Sequence, residues 1–141
     1  MKFRQDYVTN SSSSSYIIAA RTVKTDGDSV LKSYADSYTS LLAALMMCEN
    51  GETRAAIGFD TKQDFERYLI ENYSYYGEEH TLETVLSHSN WIRVLWEKAS
   101  DLYDKGFFLF EKYIDYNDDG LSQLIKTAAM NNENFIILES D

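Results

Sequence analysis

The sequence contains no proline, one cysteine and six glycines in 141 residues. Without proline, no domain boundary can be placed by that residue. The glycines are scattered singly, so a glycine-rich phosphate loop is absent and a nucleotide site of the usual kinds is disfavoured. The single cysteine, Cys48, cannot form an internal disulfide, and the apolar run around it predicts a buried thiol in a reducing compartment.

Long apolar runs are missing as well. None approaches the length of about eighteen residues that a membrane span needs, and the amino end has no apolar segment of the signal-peptide type. We therefore expect a cytoplasmic protein. With 44% hydrophobic and 14% aromatic residues, the chain can bury the core of one domain.

Basic residues are scarce relative to acidic ones, 13 against 23, which gives a formal net charge of -10. Such a charge disfavours direct binding to nucleic acid or to an anionic membrane, because phosphates would be repelled. The acidity is uneven: residues 1–24 carry +3, residues 25–100 carry -7 and residues 101–141 carry -6. A basic protein surface is the expected partner, although negative charge that serves only solubility is an equal alternative.

Hydrophobic periodicity predicts an α+β fold. Strands are expected near residues 16–23, 107–116 and 134–139, where β-branched and aromatic residues cluster. In the second of these strands, Glu111 and Lys112 mark where solvent is expected to reach it. Four to five helices are expected between them, from apolar residues three and four positions apart, with start signals near Ser29, Thr61, Thr81 and Ser89. The segment 55–59 is apolar but of uncertain type. We expect a serine-rich arm over residues 1–15, followed by one α+β domain over residues 16–141 in which a single-layer sheet packs with helices.

The segment 72–79 is the stretch most typical of a protein interface. Tyr75 and Tyr76 are followed at once by Glu78 and Glu79. Tyrosine gives rigid, amphipathic contact area, and carboxylates can pair with Arg and Lys on a partner. Most other tyrosines lie on helix stripes or strands, where packing explains them first. The acidic pair Asp118 and Asp119 forms a second candidate contact.

The segment Asp115, Asn117, Asp119, Gly120 fits the first half of a calcium-binding loop. Its twelfth position is Lys126, where a bidentate glutamate is required, and a strand stands in place of the entering helix. The alternative is ordinary N-capping of the following helix by acidic side chains. We predict no metal and no cofactor.

The two histidines, His80 and His88, match no standard zinc spacing, so surface or capping roles are expected. No nucleophile has a convincing base partner, and triad chemistry is unsupported. The chain is therefore predicted to act by binding rather than as an enzyme.

The opening Arg4 to Ile17, reading RQDYVTNSSSSSYI, resembles a recurrent amino-terminal motif of small phage, prophage and low-GC bacterial proteins, R-x-x-F-V-S-N-S-S-S-S-S-F. Tyr7, Thr9 and Tyr16 stand where the motif has Phe, Ser and Phe. The resemblance covers about a tenth of the chain and implies an origin in a mobile element, without implying a reaction. The serines offer many donors and acceptors to a partner; a lead-in without a binding role is the competing interpretation.

Charge and resemblance together favour a non-enzymatic inhibitor of anti-CRISPR type, which occupies the basic nucleic-acid channel of a host defence nuclease. The predicted contacts are Tyr75, Tyr76, Glu78, Glu79, Asp118 and Asp119. The alternatives are a structural or oligomeric interaction protein of the mobile element and, third, a small enzyme. The oligomeric state stays open.

Overall fold

The computed structural model describes residues 14–23, 27, 29–115 and 117–140. The predicted α+β class is confirmed, with four strands instead of about three. The elements are, in chain order, β1 (Ser14–Ala20), α1 (Ser29–Met47), β2 (Ile57–Phe59), α2 (Lys62–Tyr73), α3 (Leu82–Leu86), α4 (Asn90–Asp104), β3 (Phe108–Ile114), α5 (Asp119–Asn131) and β4 (Phe135–Ser140). No helix in these ranges has the length and apolar character needed to cross a membrane. Most of the serine-rich opening, residues 1–13, lies outside the described residues, and β1 begins within the serine run.

The four strands form one sheet in the order β2-β3-β1-β4, and all neighbours are antiparallel. β1 occupies a central position: Ser14 pairs with Ile114 of β3 and Ala20 pairs with Phe135 of β4. β3 and β4 both run antiparallel to β1, so they are parallel to each other with β1 between them. For the same reason β1 and β2 are parallel to each other, with β3 between them. This is a split β-α-β-β-α-β arrangement in which α2, α3 and α4 are inserted between β2 and β3.

Side chains alternate between the two faces of the sheet along each strand, and helices cover both faces. Ile17 and Ala19 of β1 face the core formed with α2, α3 and α4. Tyr16, Ile18 and Ala20 face the core formed with α1 and α5. The molecule therefore has three layers, and the central strand contributes to two separate cores.

β2 is the strand that the sequence left uncertain. It is three residues long and lies at the sheet edge, pairing Ile57 with Glu111 and Phe59 with Leu109. Only Phe59 is buried, while Ile57 is exposed and Gly58 has no side chain to pack. So short a segment shows no alternating pattern, and its pairing with β3 decides its conformation.

Lys112 corrects one expectation about β3. The segment Glu111–Lys112 was expected to mark the solvent-facing part of the strand, yet Lys112 is completely buried. Its Nζ donates to the carbonyl oxygens of Cys48 at 2.8 Å and Arg54 at 2.7 Å. Because Cys48 directly follows α1, the ammonium group lies at the negative end of that helix. Cys48 itself is half-buried rather than buried.

Candidate partner-binding loop

The candidate loop, residues 74–81, connects α2 to α3. Gly77 has φ +83, a conformation that glycine adopts readily, and it turns the chain between Tyr76 and Glu78. The backbone N–H of Tyr75 donates to Oε1 of Glu78, and the N–H of Glu78 donates to the Tyr75 carbonyl at 3.3 Å. Both ends of the turn are thus bound to each other.

His88 anchors this loop to the α3–α4 junction. Its Nε2 lies 2.9 Å from Oε2 of Glu78, and its Nδ1 lies 3.1 Å from the Tyr73 carbonyl oxygen. The Tyr75 ring stacks on the imidazole with centroids 3.8 Å apart and planes 3° apart. Both atoms that face the ring nitrogens are acceptors, so with Glu78 ionised both contacts are hydrogen bonds only when both nitrogens carry hydrogen.

Of the two roles expected for the histidines, surface or capping, the surface role is wrong for His88, whose side chain is 8% exposed. Its contact with the carbonyl oxygen of Tyr73, the last residue of α2, is of the capping kind. The interaction was missed because Glu78 lies ten residues away from His88 and α3 separates them. An available signal was the co-occurrence of two histidines with several glutamates in residues 78–88, but spacing alone does not say which pair meets.

The pKa of Glu78 lies below the usual glutamate range. The largest cause is the hydrogen bond from the Tyr75 backbone N–H, and the hydrogen bond and positive charge of His88 act in the same direction, as does the charge of His80. Glu78 is therefore ionised at neutral pH, and its hydrogen bonds with Tyr75 and His88 fix the conformation of the loop.

The loop side chains therefore divide into two kinds. Glu78 is half-buried and bound to His88, and Tyr75, although 62% exposed, keeps one ring face against the imidazole. Tyr76 is fully exposed and Glu79 is exposed. Tyr76, Glu79 and His80 are the side chains that the loop presents outward, beside Tyr75 and Glu78, which shape it.

The second candidate pair lies elsewhere. Asp118 is half-buried and caps α5, where its Oδ1 accepts the N–H of Leu121 at 3.3 Å, while Asp119 is exposed in the first turn. α5 packs on one face of the sheet, and α2 and α3 pack on the other. The structure therefore does not bring Asp118 and Asp119 together with the residues of the candidate loop.

The carboxylate of Asp115 accepts hydrogen bonds from two backbone N–H groups. Its Oδ1 accepts the N–H of Asn117 at 2.9 Å, and its Oδ2 accepts the N–H of Glu52 at 2.7 Å. These two donors lower the pKa of Asp115. Gly51 approaches the same carboxylate so closely that a Cβ there would clash with Oδ2. Among the described residues, no group of three or more His, Cys, Asp or Glu side chains is placed to hold a metal ion.

The layer of α2, α3, α4 and their connections is rich in carboxylates around the candidate loop. It contains Asp64, Glu66, Glu71, Glu78, Glu79, Glu83, Glu97, Asp101 and Asp104. Its basic residues are fewer, and three of them form ion pairs within the layer: Lys62 with Asp104, Arg67 with Asp64 and Lys105 with Asp101.

Comparison with known proteins gives no relative from which a role could be transferred. No family model matches the chain, and no curated protein and no solved structure matches it.

Proposed function

We propose that this chain is a non-enzymatic acidic binding protein of phage or prophage origin that acts in the cytoplasm of a host bacterium. It inhibits a host defence nuclease, in the manner of anti-CRISPR proteins, by occupying the basic surface on which that nuclease holds nucleic acid. The observation that carries the proposal is the candidate loop: an exposed Tyr76 beside an exposed Glu79 on a preformed turn, within a carboxylate-rich layer.

The preformed turn supports binding because it reduces the cost of ordering the loop. The Glu78–His88 pair and the stacked Tyr75 hold the backbone without a partner. A tyrosine that projects from such a turn can stack on an arginine, and a neighbouring carboxylate can pair with its guanidinium. Less conformational entropy is then lost on association than with a flexible loop.

The anionic layer supports the proposed class of partner. Carboxylates spread over α2, α3 and α4 repel nucleic acid and attract a surface that is built to bind phosphates. The contacts expected from this geometry are Tyr76 and Glu79 first, with Tyr75 and Glu78 as the residues that shape the loop. Asp118 and Asp119 belong to a separate surface and would meet a partner only if it reaches around the sheet edge.

Affinity purification from a bacterial lysate tests the proposal. The full chain is immobilised, and retained proteins are eluted with increasing salt. We expect a nucleic-acid enzyme to be retained and then released as salt rises, because screening weakens contacts between exposed charges. A retained partner that is indifferent to salt would contradict the charge-based mechanism.

Charge reversal at one position sharpens the test. Glu79→Lys is expected to raise the dissociation constant of that complex about tenfold or more and to reduce its salt dependence. The matched control is Glu133→Lys, which makes the same charge change at an exposed position between α5 and β4. Equal weakening by both variants would point to net charge alone and refute a role for the loop.

The runner-up is a structural or oligomeric interaction protein of the mobile element. The observation that favours it is an apolar groove between α1 and α5, on the side of the sheet opposite the candidate loop.

A further inference from the structure

We propose that the surface formed by α1 and α5 is the interface through which two copies of this chain associate. The two helices border a groove of about 260 Å³, lined among others by Tyr34, Ser37, Leu41, Leu124, Thr127 and Ala128. The inference rests on the composition of this surface and is independent of the proposed inhibition of a nuclease.

The groove exposes large apolar side chains next to one another. Tyr34 is 46% exposed, and Leu41 and Leu124 are each 38% exposed. Single exposed apolar residues are ordinary on protein surfaces, but a contiguous group around one groove is typical of an interaction site. Below the groove, Tyr38 and Leu42 reach the core shared with β1 and β3, so the surface rests on a packed layer.

The same two helices are nearly without charge. α1 contains only Lys32 and Asp36, which pair with each other at 3.0 Å, and α5 contains only Asp119 and Lys126. Each helix is therefore formally neutral in a chain whose net charge is -10. The opposite layer, α2 to α4, holds the carboxylates named above. The nine carboxylates of that layer thus lie on the side of the sheet opposite the apolar groove, and the lining of the groove contains no charged residue.

Charge decides which occupant fits. Two chains of charge -10 repel each other over most orientations, and a contact centred on the groove, which no carboxylate lines, lets them meet without placing carboxylates opposite carboxylates. A partner with a basic surface gains nothing there, because the groove offers it no unpaired acid. A second copy about a two-fold axis satisfies both conditions, since each copy covers the groove of the other with its own apolar residues. The two acidic layers then face outward, away from each other.

The mass of the full chain in solution tests the inference. Sedimentation equilibrium up to about 100 μM covers dissociation constants in the micromolar range. We expect a particle of twice the 16.3 kDa chain mass. Salt is expected to leave the dimer intact or strengthen it, because screening reduces long-range repulsion. This dependence is opposite in sign to that of the complex with a basic partner. A monomer at all concentrations would overturn the inference.

Matched variants locate the interface. Leu41→Glu is expected to raise the dimer dissociation constant about a hundredfold or more, because it buries a carboxylate near its two-fold copy. Val94→Glu places the same charge at a position of equal exposure, 38%, on α4 and is expected to leave the dimer unchanged. Dissociation by Val94→Glu with an intact Leu41→Glu dimer would overturn the assignment.

A gentler substitution covers the case in which Leu41→Glu does not fold. Tyr34→Ser truncates a half-exposed ring and is expected to weaken the dimer about tenfold while the helix content by circular dichroism stays unchanged. A folded Tyr34→Ser protein with the wild-type dissociation constant would count against the α1–α5 surface.

Discussion

At the scale of single residues, Lys112 is the least expected feature. Burying a lysine in the middle of a sheet removes water from its ammonium group. In Lys112 two backbone carbonyl oxygens accept the hydrogen bonds that water would otherwise accept. The ammonium group joins the end of α1 to the segment that enters β2, so one side chain connects three elements. Its position is structural, and it lies in the core on the α1–α5 side of the sheet.

Replacing Lys112 tests this role. Lys112→Met keeps most of the side-chain volume but leaves both carbonyls without their donor, and we expect the free energy of unfolding to fall by about 1–3 kcal/mol. Urea denaturation at fixed protein concentration measures the change. Lys126→Met, at an exposed position of α5, is the control and is expected to change stability by less than about 0.5 kcal/mol.

Residue roles were predictable from the sequence where they depend on neighbours. Thr61, Thr81 and Ser89 cap the helices that follow them, as their side chains and positions indicated. The roles of Lys112 and His88 were not predictable, because their partners lie 58 or 64 residues away in one case and across α3 in the other. Hydrophobic patterns carry no information about such pairs.

At the scale of elements, ionised carboxylates hold several turns and caps. Asp64 in the capping box of α2, Glu78 in the candidate loop and Asp115 beside the 50–53 turn each accept backbone N–H groups. Each has a pKa below its ordinary value: the largest cause is the hydrogen bond with the Thr61 side chain for Asp64, and a hydrogen bond from a backbone N–H for Glu78 and Asp115. Protonation removes the negative charge that these donors stabilise.

The pH dependence follows from the sign of these shifts. A carboxyl group whose pKa is lower in the folded than in the unfolded state contributes stability above its ordinary pKa and loses it as pH falls through the folded value. We expect the free energy of unfolding to be level from pH 7 to about 5 and to decline below about pH 4. In Asp115→Asn the decline is expected to be shallower, while Glu97→Gln, at an exposed site of α4, keeps the wild-type profile. Identical profiles for all three proteins would contradict the role of Asp115.

Most elements could be predicted from periodicity, and α1 and α4 show why. Their apolar stripes recur at helical spacing, and the buried residues Tyr38, Leu45, Leu95 and Leu102 lie on those stripes. β2 could not be predicted, because three residues contain too little pattern. The sequence located the candidate loop correctly as a loop. It did not show which side chains of the loop face outward, because that depends on the contacts of His88 with Glu78 and Tyr75.

At the scale of the whole molecule, one strand connects two cores. β1 buries side chains against both helical layers, and both tryptophans, Trp91 and Trp96, lie on the α2–α4 side. The helices on the two sides of the sheet therefore depend on each other through β1, and the chain is expected to unfold as one cooperative unit.

A substitution on the side without tryptophan tests the coupling. Ile125→Ala in α5 removes buried volume and is expected to cost about 2–5 kcal/mol. If the molecule unfolds as one unit, the denaturation midpoints by tryptophan fluorescence and by far-ultraviolet circular dichroism shift together. A fluorescence midpoint that stays at the wild-type value while helix signal is lost earlier would show two independent units.

The position of β1 in the chain has a consequence for synthesis on the ribosome. Its pairing partners lie 88 to 124 positions later in the chain, from Phe108 of β3, which pairs with Ala20, to Ser140 of β4, which pairs with Tyr16. The sheet cannot close until β4 has left the exit tunnel, whereas α2 to α4 leave it earlier. The apolar segment of β1 therefore waits unpaired in the nascent chain, where transient binding by a chaperone would protect it from aggregation.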